Sequence, residues 1–396
     1  KIIGKEKIIN QLKSGEILGF LGSRNVLPKY GFPVDVVELQ TNHLDANTGG
    51  TDIELSRDLR MAISEFAPGS QVVAGKKIWT GGGLKIHRRK EWPQKKYVIC
   101  KECKKLYQGM EVPTICTCGA KLSTPKTFII PITGFVARPE IKIPGEAPPE
   151  RTYASTVYFG DYEEEKSKKF DYSTDFSLDD SLGLETYTRY SKYGYLIQVN
   201  NGYGEGFNIC KTCGYGEVVD FSTKRNFLNH KNPITDTDCI YNKENVLSFV
   251  ALGHIYLTDV LEIKMPGLQP KLARLNNNKS LSYQRSLMYA LLEGACESQG
   301  IKRSDIDGTL YYRSFGEPAS IILFDTVPGG AGHVENIKNH LKEAILEGYK
   351  KVNSCQCGVE TSCYNCLRNY SNQRYHDKLQ RGYALEAMRL LLNNGY

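Results

Sequence analysis

The spacing of apolar and polar residues divides the chain into a strand-rich body and a C-terminal part that mixes helices and strands. Alternating or continuous apolar runs, bounded by turn residues, predict strands in the body. These strands are expected at residues 36–38, 71–74, 77–80, 186–199 and 247–263. One amphipathic helical stripe interrupts them, formed by Leu55, Leu59, Ala62, Ile63 and Phe66.

The pattern changes near residue 280, where apolar residues begin to recur at helical spacing. Helices are predicted at residues 281–298, 334–349 and 376–393, and strands at residues 309–312 and 320–324. The sequence therefore predicts the α+β fold class, with a β-rich body followed by a C-terminal α+β unit.

Composition narrows the class of protein further. The chain has 396 residues, of which 40% are hydrophobic and 24% charged, as in a folded soluble protein, so disordered and collagen-like chains are excluded. No apolar run approaches the roughly 18 residues of a membrane span, and no signal peptide is recognisable, so we expect a cytoplasmic protein. The net charge of +7 permits a nucleic-acid partner without requiring one.

Eleven of the twelve cysteines fall into three groups of closely spaced pairs. A short loop with two cysteines places both sulfurs on one edge of a zinc tetrahedron, and a second pair completes the site. The expected ligands are Cys100, Cys103, Cys116 and Cys118; Cys210, Cys213, His230 and Cys239; and Cys355, Cys357, Cys363 and Cys366. We therefore expect about three zinc ions per chain, all structural because four protein ligands leave no open position.

Two other interpretations of the cysteines are open. A disulfide framework is typical of short secreted chains, which this chain does not resemble. In the second group, Cys210 and Cys213 could form a redox pair with His230 on the surface, although the pair lies in a Gly-rich turn and not at a helix start. Cys296 falls on the helical stripe of Leu281 and Met288, and is expected to pack in the core.

The basic residues predict where nucleic acid would lie. Residues 85–105 contain nine cations against two carboxylates, interleaved with aromatic residues that suit base stacking. A solvated surface hairpin is the equally weighted alternative. The expected contacts are Arg88, Arg89, Lys95 and Lys96, together with Arg374, Lys378 and Arg381, which would share one helix face. The acidic residues 161–180 are expected to form an exposed loop or linker.

A glycine-rich loop lies between a predicted strand and a predicted helix. Gly329, Gly330, Gly332 and His333 follow the strand, an order in which backbone N–H groups can bind an anion. A tight turn that lets strand and helix pack closely is the favoured alternative. Asp325 and His333 could also serve in acid–base or metal chemistry, but no P-loop, Asp-Glu-x-His box, H-E-x-x-H or G-x-S-x-G motif is present, so no catalytic residue is assigned.

Several stretches of the sequence share a family resemblance. They lie at residues 27–37, 55–59, 65–69, 258–263, 286–295, 324–333 and 362–370. Together they resemble the C-terminal region of large bacterial superfamily-two DEAD/DEAH-box helicases that end in an MrfA-type zinc-binding domain. The last four cysteines match the four-cysteine signature of that domain, and the resemblance extends from about residue 27 to residue 392, except for the acidic stretch.

The resemblance implies a zinc-binding, non-motor module of an ATP-dependent DNA helicase, acting in DNA repair or in antiphage defence of the DISARM or Druantia type. It implies single- or double-stranded DNA, helicase motor domains and other defence subunits as partners, with no membrane. ATP would bind only to a helicase core outside these residues, on the same polypeptide or on a partner. The alternative is an accessory or scaffold subunit that binds a helicase by protein contacts and never touches DNA.

Taken together, these features predict four segments. Residues 1–90 would be an N-terminal lead-in with an α/β segment, and residues 91–125 a zinc ribbon. Residues 126–279 would be a β-rich domain with a second zinc knuckle at about residues 205–245. Residues 280–396 would be the MrfA-type zinc-binding unit.

Overall fold

A computed structural model describes residues 35–43, 53–87, 89–139, 155–162, 176–219, 227, 229–240, 243–313 and 317–392. The predictions for the N-terminal lead-in, for Arg88 and for most of the acidic stretch lie outside the described residues. In the rest of the chain, strands and helices are both well represented, which confirms the α+β class. No helix in these ranges is both long and apolar enough to cross a membrane.

The strands of the body form two sheets. Their bounds are β1 (Val36–Gln40), β2 (Ser56–Asp58), β3 (Gln71–Ala74), β4 (Lys77–Leu84), β5 (Gln94–Ile99), β6 (Leu106–Gly109), β7 (Lys126–Ile129), β8 (Phe135–Ala137), β9 (Thr156–Tyr162), β10 (Ser177–Leu178), β11 (Tyr187–Asn200), β12 (Phe207–Cys210), β13 (Gly216–Val218), β14 (Val246–Lys264), β15 (Ile306–Tyr311) and β16 (Ser320–Asp325).

The smaller sheet has the order β2-β1-β8-β4-β3, and the larger one runs β10-β11-β14-β7-β5-β6. Strand β14 is the organising element, because it pairs with β11, β7, β12 and β16 along its 19 residues. Strand β9 adds to β11, and β15 adds to β16, so that the larger sheet branches. Both zinc knuckles predicted in the body are therefore loops at the margins of one continuous sheet.

The described residues form six α-helices, five of which follow β14 in the chain. Their bounds are α1 (Leu59–Glu65), α2 (Gln269–Leu272), α3 (Asn277–Gln299), α4 (His333–Asn339), α5 (Leu341–Ser354) and α6 (Arg381–Leu391), with 3₁₀ turns at Lys243–Asn245, Pro266–Leu268 and Tyr370–Lys378. The Asn276 side chain caps the start of α3, and Gly300, with φ 63°, ends it in the left-handed conformation that glycine adopts without steric cost.

The largest hydrophobic core lies between α3, α5, α6 and the sheet. It contains Leu287, Leu291, Ile345 and Met388 from the helices, packed against Ile263 of β14 and its neighbours. The same core includes Cys366 and Leu367 at the last zinc group and Leu379 at the end of the 3₁₀ turn, so both are anchored to it.

Three predicted elements differ from the structure. The stripe at residues 55–66 begins as strand β2, which pairs with β1, so the helix starts only at Leu59. The helix predicted at residues 334–349 is two helices, α4 and α5, separated at His340, where φ is −128°. The helix predicted at residues 376–393 is interrupted by extended backbone at Leu379 and Gln380.

Candidate metal centres and nucleic-acid interface

The first tetrad lies at the end of the β5–β6 hairpin. The Cys100 N–H donates to the Lys105 carbonyl oxygen at 2.9 Å, which folds the Cys100–Cys103 loop into a knuckle. The opposing loop is closed by the Cys116 N–H, which donates to the Ala120 carbonyl oxygen at 2.9 Å. The Sγ atoms of Cys100 and Cys118 are 3.6 Å apart, and those of Cys103 and Cys116 are 3.4 Å apart.

The second tetrad joins β12 and β13 to the following loop. Cys210 ends β12, and the Gly214 N–H donates to the Cys210 carbonyl oxygen at 2.9 Å, which closes the knuckle. The His230 ring stacks on Tyr215 at 4.8 Å, and its Nδ1 lies 3.3 Å from the Phe227 carbonyl oxygen. A histidine held at Nδ1 by a carbonyl presents Nε2 as a ligand, as metal-binding histidines commonly do.

The third tetrad begins at the residue that follows α5. The Cys355 Sγ lies 3.5 Å from that of Cys357 and 3.4 Å from that of Cys363. The Cys366 Sγ lies 3.7 Å from that of Cys357 and 3.9 Å from that of Cys363. The Cys363 N–H donates to the Cys366 sulfur at 3.2 Å, which holds these two ligands together.

These distances fit zinc. Four sulfurs around a zinc ion at about 2.3 Å are about 3.8 Å from one another in a tetrahedron. In each tetrad the four candidate ligand atoms lie within 4.8 Å of one another, and Cys210 and Cys239 in the mixed site have sulfurs 4.0 Å apart. All twelve cysteines are free thiols, so the disulfide interpretation is wrong. The chain thus provides three sites for zinc, and the expected count of about three ions is confirmed.

Hydrogen bonds prepare one thiol of each tetrad for ionisation. Burial opposes ionisation of Cys116, but the Cys118 backbone, the Tyr107 hydroxyl and the neighbouring thiols outweigh it and lower the pKa of Cys116 to about 6. Interaction with Cys213 lowers the pKa of Cys210 to about 4. Burial also opposes ionisation of Cys355, but contacts from Cys357 and the other thiols outweigh it and lower the pKa of Cys355 to about 7. The thiolate is the form that binds metal.

The basic run is only partly a surface for nucleic acid. Arg89 and Lys96 are exposed, and Lys95 is half-buried on β5. The aromatic residues of the run do not form the expected stacking surface. Tyr97 is buried, with its ring 5.6 Å from that of Phe128, and the Trp92 indole N–H donates to the Thr133 hydroxyl at 2.9 Å. Base stacking on Tyr97 is therefore excluded, because its ring is in the core of the sheet, and Trp92 is partly buried.

The C-terminal cations do not share one helix face, so that prediction is wrong. Arg374 and Lys378 lie on the 3₁₀ turn, whereas Arg381 begins α6 after the extended residues. The Arg381 guanidinium donates to the Val352 carbonyl oxygen at 2.9 Å and so satisfies the last turn of α5. Lys378 is exposed, and the Arg374 guanidinium donates to the Thr156 hydroxyl at 2.6 Å.

The glycine-rich loop binds carboxylates of the protein itself. Asp325 accepts hydrogen bonds from the N–H groups of His333 and Val334, both at 3.1 Å, and from that of Ala331. Asp259 accepts from the Gly332 N–H at 2.9 Å. The predicted anion nest of Gly329, Gly330, Gly332 and His333 is therefore filled from within, and Asp325 caps α4. An external anion has no place there, and the tight-turn alternative fits better.

Sequence reasoning missed two features that shape these sites. Asp259 was not recognised as a partner of the glycine loop, because 73 residues separate it from Gly332. The Tyr107 hydroxyl lies 3.3 Å from the Cys116 sulfur, a contact that the ligand spacing does not indicate.

Comparisons with known proteins agree with this geometry. Residues 287–367 match the family model described as the MrfA Zn-binding domain, a segment that includes the whole third tetrad. The Druantia protein DruE of Escherichia coli (strain UMEA 4076-1) is 23% identical over 425 aligned residues, which cover 95% of this chain and 22% of DruE. The chain thus spans about a fifth of the length of this curated relative.

A solved structure also aligns with most of the chain. The crystal structure of the DUF1998 helicase MrfA bound to DNA covers 90% of this chain and 33% of that chain, with 9% identity and a TM-score of 0.40. The family match rests on residues 287–367, where the third tetrad joins α5 to the following 3₁₀ turn. Residues 287–367 in the C-terminal unit are therefore similar to the MrfA Zn-binding domain.

Proposed function

We propose that this chain is a zinc-stabilised, non-motor module of an ATP-dependent DNA helicase, and that it helps to engage DNA. The observation that carries the proposal is the match of residues 287–367 to the MrfA Zn-binding domain. The similarity to DruE along 95% of the chain supports it. ATP binding and hydrolysis belong, in this proposal, to a helicase core on the same polypeptide or on a partner subunit.

The proposed setting is the cytoplasm of a bacterial cell, where twelve free thiols persist in reduced form. Of the two processes that the sequence suggests, DNA repair and antiphage defence, the similarity to a Druantia protein favours defence. The proposed partners are DNA, the helicase motor and further subunits of a defence system.

Phosphate contacts would come from the basic run beside the first zinc site. Arg89 and Lys96 are exposed there, and Arg88 belongs to the same run of the sequence. Each lysine or arginine that neutralises a phosphate releases counterions, so affinity for single-stranded DNA falls with salt in proportion to the number of contacts. A zinc-held hairpin presents these cations on a fixed backbone, which reduces the entropy lost on binding.

Charge reversal tests the proposal. We expect the protein to bind a single-stranded oligonucleotide at about 50 mM salt, with affinity that falls as salt rises. Replacement of Arg88, Arg89, Lys95 and Lys96 by Glu should abolish most of this binding at the same salt, because four phosphate contacts are lost and repulsion replaces them. Fluorescence anisotropy across a salt series measures both the affinity and its slope.

The matched control reverses four lysines of the C-terminal unit, Lys302, Lys338, Lys342 and Lys350, which changes the net charge equally. That variant should keep most of the affinity. If both variants lost the same affinity, the change in net charge alone would explain the loss. No binding by the unmodified protein at about 50 mM salt would contradict DNA engagement.

A scaffold function remains the second candidate, and one observation favours it. Met110 is 87% exposed and Ile115 is 64% exposed on the first zinc ribbon, where apolar side chains suit a protein partner. The same experiment separates the two candidates, because a scaffold would show no salt-dependent affinity for DNA.

A further inference from the structure

A cleft of about 340 Å³ lies between α1, β15 and the 3₁₀ turn that follows the third tetrad. It is distinct from all three zinc sites, and its walls come from six separate parts of the sequence. Three of the residues that line it are arginines, one from each of three elements: Arg60, Arg285 and Arg374. Its aromatic lining consists of Tyr289, Tyr370 and Tyr375.

The cleft carries an uncompensated positive charge. Two carboxylates line it, but each already has a cation of its own. Glu65 pairs with Arg57 at 3.1 Å, and Asp307 pairs with Arg303 at 3.3 Å. Within the described part of the chain, none of the three cleft arginines forms a salt bridge, so their charge is available to an anionic ligand.

Two of the three arginines are oriented by an aromatic ring. The Arg285 guanidinium lies 3.9 Å from the centroid of the Tyr375 ring, and that of Arg374 lies 4.6 Å from it. Stacking on an aromatic face fixes a guanidinium and leaves its edge N–H groups able to donate hydrogen bonds. One amino group of Arg374 already donates to the Ser155 carbonyl oxygen and the Thr156 hydroxyl, so its other N–H groups are the ones available to a ligand. Planar N–H donors in a fixed orientation are well suited to phosphate oxygens.

The rim of the cleft offers a second kind of contact. Tyr370 lines the cleft and is 54% exposed, so part of its ring surface can contact a base. The three arginines, which we call the floor, can bind a phosphate, and Tyr370, which we call the rim, can stack on a base. A single nucleotide supplies both groups and fits a space of about 340 Å³. A duplex presents its bases already stacked and paired, so only a single strand can supply both groups at once.

We propose that this cleft binds one nucleotide of a single DNA strand, with its phosphate on Arg60, Arg285 and Arg374 and its base against Tyr370. The inference rests on the proposed function, and it identifies the cleft as the place where the module would hold a separated DNA strand. It also gives the third zinc site a role, because the tetrad fixes the chain from which Tyr370, Arg374 and Tyr375 project.

The connection between zinc and cleft is direct. Leu367 follows the last ligand, Cys366, and its carbonyl oxygen accepts a hydrogen bond from the buried Asn372 side chain at 2.8 Å. Asn369 and Asn372 form a reciprocal cap at the start of the 3₁₀ turn. The His376 Nε2 lies 2.9 Å from the Asn372 side-chain oxygen and so braces the same turn.

Substitutions at the floor and the rim test the proposal separately. We expect Arg285→Gln to weaken binding of a labelled oligothymidylate about tenfold and to lower the log–log salt slope by about 0.7, the loss of one phosphate contact. Tyr370→Ala should also weaken binding about tenfold, without a change in slope, because stacking releases no counterions. Tyr370→Phe should bind as the unmodified protein does.

The matched control is Tyr364→Ala, which removes a tyrosine that is 63% exposed in the same segment but does not line the cleft. It should leave affinity unchanged. Affinity for blunt duplex DNA should be the same in all four variants. Thymidine monophosphate at the same concentration should compete weakly, because a free nucleotide lacks the flanking phosphates that a strand supplies. Equal competition by the mononucleotide would overturn the assignment to a strand.

A direct measurement covers the case in which a variant folds poorly. An oligonucleotide carrying 5-iododeoxyuridine should crosslink to Tyr370 or Tyr375 in the unmodified protein, as mapped by mass spectrometry. Crosslinks found only elsewhere, or strand binding unaffected in Arg285→Gln and Tyr370→Ala, would overturn the cleft while leaving the proposed DNA engagement intact. Failure of the unmodified protein to bind any DNA would instead remove the proposed function itself.

Discussion

The groups around each cysteine decide whether it behaves as a metal ligand or as a core thiol. Burial raises the pKa of Cys296 to about 11, so its uncharged thiol is favoured and it packs beside the C-terminal core. Cys116 receives hydrogen bonds that lower its pKa to about 6 in spite of burial. Other tetrad cysteines, such as Cys103, have a raised pKa as Cys296 does. What distinguishes the ligands is therefore the grouping of four donor atoms within 4.8 Å of one another, and not the pKa of each single thiol.

At the carboxylate of Asp259, the effect of burial on the pKa outweighs that of the hydrogen bond it accepts. Burial raises the pKa of Asp259 to about 6, and the nearby Asp325 and Glu335 add to the rise, while the Gly332 N–H and Lys192 oppose it. In the unfolded chain the pKa is about 3.9. Between about pH 4 and about pH 6 the folded state binds more protons than the unfolded state. The free energy of unfolding therefore falls as the pH rises through this range.

Asp259→Asn should therefore change how stability depends on pH. The amide oxygen can still accept the Gly332 N–H, but the side chain no longer titrates. From pH 5 to pH 7 the unmodified protein should lose about 1 kcal/mol of unfolding free energy relative to the variant. Urea unfolding of both proteins at the two pH values measures this difference, and the zinc thiolates cancel because both proteins contain them. Parallel pH profiles would contradict the assignment.

At the scale of elements, the crossing of α3 and α5 determines how the C-terminal unit is built. A methyl group at Gly294 would overlap the Ala344 carbonyl oxygen and the Gly348 backbone. Gly348 in turn lies against the Ala290 carbonyl oxygen, where an added Cβ would be 2.6 Å away. The two helices approach at glycines, and this close approach lets Leu291 and Ile345 share one core.

Gly294→Ala should consequently destabilise the protein, although alanine favours a helix by about 1 kcal/mol over glycine. Overpacking of a tight interface costs about 1–3 kcal/mol, and backbone atoms on both sides of this site cannot rotate away. Thermal or urea unfolding measures the change. The control is Gly358→Ala, whose added methyl meets only the Thr361 side chain at 3.6 Å and should be neutral. A neutral or stabilised Gly294→Ala protein would refute the close crossing.

Sequence patterns predicted the zinc ligands correctly but missed a break between two helices. All three tetrads were predicted residue by residue, because each contains at least one pair of cysteines separated by only one or two residues. The split between α4 and α5 was missed, because Val334, Ile337, Leu341 and Ile345 keep one helical stripe across the break at His340. Periodicity records which side chains are buried, and it is insensitive to a backbone kink that preserves the buried face.

The arginine–tyrosine cleft was beyond the reach of local patterns. Arg60 and Arg285 are separated by most of the body in sequence, and they meet only because the larger sheet brings α1 to the C-terminal unit. The Gln198 side chain on β11 donates to the Arg60 carbonyl oxygen at 3.0 Å, which fixes that junction. A site assembled by tertiary contacts leaves no spacing for a sequence motif to detect.

In the molecule as a whole, the long strand β14 and the zinc sites stabilise different parts of the fold. The strand links the smaller sheet's core, through Val250 and Leu252, to the C-terminal core, through Leu261 and Ile263. The tetrads instead fix marginal loops that have little core of their own. The first holds the basic hairpin, and the third holds the wall of the cleft, so the two surfaces that we propose for DNA would depend on two different metal ions.

This division predicts that the two surfaces can be lost separately. Cys366→Ser and Cys103→Ser should each reduce bound zinc from about three ions per chain to about two. In Cys366→Ser the 3₁₀ turn is released, so Tyr370→Ala should cause no further loss of strand binding. In Cys103→Ser the cleft remains, so Tyr370→Ala should still weaken binding about tenfold. Metal analysis by mass spectrometry and anisotropy with a labelled strand measure both quantities.

Cys296→Ser provides the matched control, because this cysteine lies outside every tetrad and its loss should leave both zinc and binding unchanged. Charge reversal in the basic run gives the reciprocal test, since it should add little to Cys103→Ser and much to Cys366→Ser. If either cysteine substitution removed both surfaces at once, the tetrads would act through global unfolding. The independence of the two zinc-held surfaces would then be refuted, since a core built around β14 should survive the loss of one marginal loop.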